Sequence, residues 1–121
     1  MTEERINSIE ISKEDFRKVG YQLIDEIADF ISGIAERPVT TNDKPSELQS
    51  VLGDISLPEN GKSPSALMTD VTKLMFNHSL FNGHPKFLGY ITSSAAPIGA
   101  LGDLLAATVN PNVGAHILSP I

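Results

Sequence analysis

The sequence predicts a mainly α fold of about three helices joined by a long polar strap. Apolar residues recur every three or four positions from Phe16 to Ile34, which is one stripe of an amphipathic helix. Ser63 followed by Pro64 marks a second helix start, and Ile98 to Val109 is a nearly uncharged run stopped by Asn110 and Pro111. At 121 residues the chain can build one core but not two.

The first helix is expected over about 12–36. Its stripe is Phe16, Val19, Leu23, Ile24, Ile27, Phe30, Ile31 and Ile34. Ser12 with Asp15 three residues on resembles a capping box, and Glu14 and Asp15 suit the positive end of the helix dipole. Gly20 and Gly33 each cost about 1 kcal/mol against Ala inside a helix, so both are expected where a neighbouring backbone comes close. Arg37-Pro38 ends the run. Residues 38–63 form the strap, with connector stretches TTNDKPSE and PENGKSP and one short helical turn at Ser46 to Leu52. The second helix is expected over about 64–77, with Leu67, Val71, Leu74 and Met75 on one face. Residues 78–96 read as loop with a short extended piece, KFLGYIT, and the third helix covers about 98–109.

Charge divides the chain. Of fifteen acids and nine Lys and Arg, residues 61–121 hold only Asp70, Asp103, Lys62, Lys73 and Lys86. Apolar sequence this poor in charge must be covered, and the first sixty residues offer little to cover it. A second subunit, or more chain, is the expected cover. The net charge of −6 is the wrong sign for gripping nucleic acid or anionic lipid, and Pro97, Asn110, Pro111 and Asn112 break every apolar run short of the ~20 residues of a membrane span. With no cysteine there is no disulfide, thiolate nucleophile or zinc-cysteine site. The acidic N-terminus lacks the apolar stretch of a secretory signal, so a cytoplasmic protein is expected.

Motifs for self-contained catalysis are missing: no Walker loop, G-x-G-x-x-G, G-x-S-x-G or H-E-x-x-H. His78 and His84 have no carboxylate in register, so they read as solvent-exposed loop histidines and no metal site is expected. Residues 84–97, HPKFLGYITSSAAP, stand out. Thr92, Ser93 and Ser94 can each donate and accept, Tyr90 adds a ring, and Gly89 and Ala95 leave room for a small ligand. The same residues could instead form a polar turn capping the helix at Ile98, with Tyr90 a core ring.

The blocks His84-Pro85-x-Phe87-x-Gly89-Tyr90, Leu101-Gly102-Asp103-Leu104-Leu105, Asn110-x-Asn112-Val113-Gly114 and Ser119-Pro120 occur in order. Together they resemble the N-terminal part of the pyridoxal-phosphate-dependent amino-acid decarboxylases of group II, which include the aromatic-L-amino-acid, tyrosine and glutamate enzymes. The opening helix, Arg37-Pro38-Val39 and Leu57-Pro58-Glu59-Asn60-Gly61 fit the same layout. The resemblance implies the helical arm of a fold-type-I enzyme that wraps around its partner in an obligate homodimer, ahead of a large α/β cofactor domain absent from this chain. It implies an L-amino-acid substrate that loses CO2 while pyridoxal 5'-phosphate acts as electron sink. No lysine here lies in the family's His-Lys motif, so no catalytic residue and no covalently held cofactor are expected on the chain, and alone it is expected to be inactive. By position, the family's substrate-facing ring and hydroxyl fall on Tyr90 with Thr92 or Ser93. Val113, Ala115 and His116 fall on the segment that lines the partner subunit's pocket; many relatives carry a tryptophan near His116. A non-enzymatic helical dimerisation module is the alternative reading.

Overall fold

Four α-helices form among the described residues, and each starts where the local chemistry favours a start. The computed structural model describes residues 10–53, 58–112, 114 and 117. Helix α1 spans Lys13–Ser32, α2 Pro45–Leu52, α3 Pro64–His78 and α4 Pro97–Val109, with a 3-10 turn at Ile34–Glu36; the described residues include no strand. The chain divides into two units, residues 1–81 and 82–121.

Helix α1 is capped as its sequence predicts. Ser12 Oγ accepts from the Asp15 N–H at 3.0 Å and donates to the Asp15 carboxylate at 2.7 Å. The helix ends four residues before the expected limit of 36. Gly33 closes it with an N–H donated to the Asp29 carbonyl at 2.9 Å, and the chain tightens into the 3-10 turn before Pro38. A Cβ on Gly33 would lie 3.1 Å from that same carbonyl oxygen, so the close approach is to the chain's own helix end. Around Gly20 nothing lies within 4 Å of an added Cβ, which removes the expected neighbour there.

The strap contains a full helix, making four where about three were expected. Pro45 opens α2 with its φ already set, and Glu47 accepts the Lys44 N–H at 2.7 Å. Lys44 has no acceptor to return, so only half of a capping box forms. Helix α3 starts on the Ser63 hydroxyl, which accepts from Ala66 N–H at 3.3 Å, and runs one residue past Asn77.

Packing in the first unit is mainly α1 against α3. The seam is not the apolar face expected of α3: Leu67, Val71 and Met75 are exposed. Ser65, Thr69, Thr72 and Phe76, spaced by three or four residues, face α1 instead. Gln22 explains the reversal. It donates to Thr69 Oγ1 at 2.7 Å and to Glu26 Oε1 at 3.0 Å, and accepts from Ser65 Oγ at 2.7 Å, so its amide is matched by a polar strip. Below this strip Phe30 stacks on Phe76 at 4.4 Å and meets Phe81 edge-on at 5.0 Å. Arg37 lies over the Phe30 ring at 5.2 Å and donates to the Phe76 carbonyl at 3.0 Å, satisfying one of the open carbonyls at the end of α3.

Little of this is a core. Phe81 is the one buried hydrophobic residue among those described, beside the polar Thr72 and His84. In the second unit every residue of α4 is exposed, including Ile98, Leu101, Leu104, Leu105 and Val109. Asn110 ends α4 in the left-handed region (φ 43°) and donates its N–H to the Ala106 carbonyl at 2.9 Å. Among the described residues, no helix is long and apolar enough to cross a membrane.

Candidate functional site

The loop before α4 is organised by a β-turn. Phe87 N–H donates to the His84 carbonyl at 2.9 Å, with Pro85 at the second turn position. Inside the turn Lys86 N–H donates to His84 Nδ1 at 3.0 Å. His84 is buried, contrary to the solvent-exposed histidine expected. Next comes Gly89, where a Cβ would sit 3.2 Å from the Phe87 ring. Tyr90 follows in the left-handed region (φ 57°), which breaks the extended piece expected for KFLGYIT.

Tyr90 is 86% exposed, so it is not a core ring; it keeps only a tilted contact with Phe87 at 6.2 Å. Thr92 and Ser93 are exposed too. The cap of α4 is Ala96, with no side-chain hydrogen bond, so the hydroxyls do not form the helix-capping turn. The structure therefore places Tyr90, Thr92 and Ser93 along one accessible stretch of loop. Val113, Ala115 and His116 lie outside the described residues.

Besides one of about 590 Å³ on α1, lined by Lys13, Glu14, Arg17, Lys18 and Tyr21, two clefts lined by described residues open in the first unit, and neither includes the loop. One of about 380 Å³ is lined by Val51, Leu52, Val71 and Leu74, with Lys62, Asp70 and His78 at its margins. Lys62 donates to Asp70 at 2.6 Å and holds that carboxyl below the usual range. The other, of about 250 Å³, lies along the polar seam between Glu26, Thr69, Thr72 and Lys73. Glu26 Oε2 is buried with no hydrogen-bond partner among the described residues, and the Thr72 hydroxyl beside it is also within reach of the Met68 and Thr69 carbonyls at 3.0 and 3.2 Å. Even so, the nearby Thr72 and Gln22 side chains hold the Glu26 carboxyl below its ordinary range.

His78 also departs from expectation. A carboxylate does reach it: Asp43, thirty-five residues earlier, lies 2.8 Å from His78 Nδ1. The Thr41 hydroxyl also donates to Asp43, and Thr41 and His78 together pull the Asp43 carboxyl below the usual range. No local spacing could reveal the pair, because the 3-10 turn and strap bring Asp43 back to the end of α3.

No protein-family profile matches the chain. Curated relatives do. An aromatic-L-amino-acid decarboxylase of Bacillus atrophaeus is 30% identical over 103 residues, 85% of this chain and 21% of that protein. A tyrosine decarboxylase of Oryza sativa subsp. japonica is 29% identical over 101 residues, covering 83% of this chain and 19% of its own. A phenylacetaldehyde synthase of Petunia hybrida is 29% identical over 110 residues, 91% of this chain and 22% of that protein. The chain matches the group II pyridoxal-phosphate-dependent amino-acid decarboxylases. It spans about a fifth of the length of these relatives.

A decarboxylase of this family needs a lysine for its cofactor and donors for the cofactor phosphate. The described clefts do not fit that demand. Lys62 is paired with Asp70, Lys73 acts on Glu26 and Asp70, and Thr69 and Thr72 donate to backbone carbonyls. Thr92 and Ser93, whose hydroxyls are unspent, lie outside both clefts. Neither of these two clefts by itself fits pyridoxal phosphate.

Proposed function

We propose that the chain is the helical arm of a pyridoxal-phosphate-dependent decarboxylase that releases CO2 from an L-amino acid, with an aromatic amino acid as the favoured substrate. The observation that carries this reading is the similarity to aromatic-L-amino-acid and tyrosine decarboxylases over 85% and 83% of the chain. The arm contributes surface and not chemistry. Its lysines sit outside the family's cofactor motif, so the chain alone is inactive and holds no covalent cofactor.

Tyr90 supplies a ring to the substrate side chain, and Thr92 or Ser93 a hydroxyl. Their exposure supports this, since a pocket wall contributed to a larger assembly must be unspent in the arm itself. Val113, Ala115 and His116 form a wall of the partner subunit's pocket in the homodimer. The exposed apolar residues of α4 support such a dimer, because obligate interfaces are large and apolar.

The test uses the full-length enzyme with Tyr90→Ala, Thr92→Val and Ser93→Ala. We expect Tyr90→Ala and one of the two hydroxyl variants to lower kcat/KM by about tenfold or more, equivalent to ~1.4 kcal/mol of transition-state stabilisation. All three staying within about threefold of wild type sinks the pocket assignment.

A non-enzymatic helical association module is the second reading, favoured by the exposed α4. Full-length protein that dimerises yet releases no CO2 from any L-amino acid with added pyridoxal phosphate decides for it.

A further inference from the structure

Helix α2 is attached to the first unit in an unusual way. It packs on neither α1 nor α3 to the extent that those two pack on each other. Positive φ angles bracket it, 57° at Asn42 and 73° at Gly53, so the backbone turns sharply at both ends. The strap leading to it is fixed at three places. Arg37 donates to the Phe76 carbonyl at 3.0 Å, the Val39 carbonyl accepts from Phe81 N–H at 3.0 Å, and Asp43 meets His78 at 2.8 Å. Asp43 is the last of these anchors and lies two residues before Pro45.

We propose that α2 is a hinged flap over the cleft on α3, and that the Asp43–His78 pair is the clasp that holds it there. The cleft, about 380 Å³, separates Val51 and Leu52 of the flap from Val71 and Leu74 of α3. Val51, Leu52 and Val71 are all exposed, so the apolar walls face each other without closing. The flap's own packing is too slight to hold it, and the clasp does so at its N-terminal end.

The charged groups near the clasp leave it distinct. Lys44 and Glu47 engage each other through the Lys44 N–H, and Lys62 is matched by Asp70 at 2.6 Å. Lys73 acts on Glu26 and Asp70. Thr41 and His78 hold Asp43 below the ordinary carboxylate range, so the folded state releases the Asp43 proton more readily than the unfolded one. The Asp43 side of the clasp is therefore ionised above about pH 4, and its contribution is lost as pH falls through the lowered value.

Hydrogen exchange followed by mass spectrometry in the full-length protein tests the flap. In Asp43→Asn we expect exchange across Pro45–Leu52 to rise about fivefold while α1 and α3 keep their protection. His78→Gln, which retains a donor, should give a smaller rise. Unchanged exchange in α2 in both variants overturns the proposal, and so does equal loss of protection in α1, α2 and α3. If Asp43→Asn does not fold, wild-type protein taken from pH 6 to pH 3, corrected for intrinsic rates, gives the same readout. Loosening of α2 before α1 is expected; simultaneous loosening overturns the clasp.

Discussion

At the residue scale, the first unit depends on a few side chains that each serve two elements. Phe30 is stacked on Phe76, met edge-on by Phe81 and covered by Arg37, so one ring joins α1, the end of α3, the turn after it and the start of the strap. We expect Phe76→Ala to lower unfolding free energy by about 2 kcal/mol, below the usual 3–5 for a fully buried Phe because this ring is only half-buried. A urea-unfolding midpoint within error of wild type contradicts that. The sequence displayed these aromatics but not their partners. Stacking pairs residues forty-six apart in the chain, and no local periodicity encodes such a separation.

At the element scale, helix starts were legible and helix faces were not. Ser12 and Ser63 cap where their spacing predicts, because a cap is a contact within one turn. The inner face of α3 was misread, because the sequence offers two competing stripes and Gln22 on the other helix chooses the polar one. Gly20 is the other misread position. With open space around it, Gly20→Ala should stabilise α1 by roughly 0.5–1 kcal/mol through a less flexible unfolded chain. Thermal unfolding checks this: a raised Tm is expected, and a lowered one means that the full-length protein seats another backbone against α1.

At the scale of the whole molecule, the dominant feature is apolar surface without cover. Phe81 alone is buried among the described hydrophobic residues, while α4 exposes residues on every side. A patch of this kind on a separated chain drives association. We expect the isolated chain to be mainly helical and to self-associate in sedimentation velocity, and Leu101→Lys with Leu105→Lys, one turn apart on α4, to shift association to at least about tenfold higher concentration. A well-folded wild-type monomer at high concentration contradicts this.

By itself the sequence determined the helical class, the serine caps of α1 and α3, the stop at Asn110-Pro111, and the resemblance to the decarboxylases. All of these rest on local chemistry or on motifs in order along the chain. Of the candidate site it located the hydroxyl-bearing loop, but not that Tyr90 turns outward through a left-handed backbone or that Ala96 leaves the hydroxyls unspent. Tertiary structure alone decided the polar seam, the aromatic cluster, the burial of His84 and the Asp43–His78 pair. Each depends on where the chain's bends bring distant groups, and a hydrogen bond or ring contact forms only within a few ångströms of its partner.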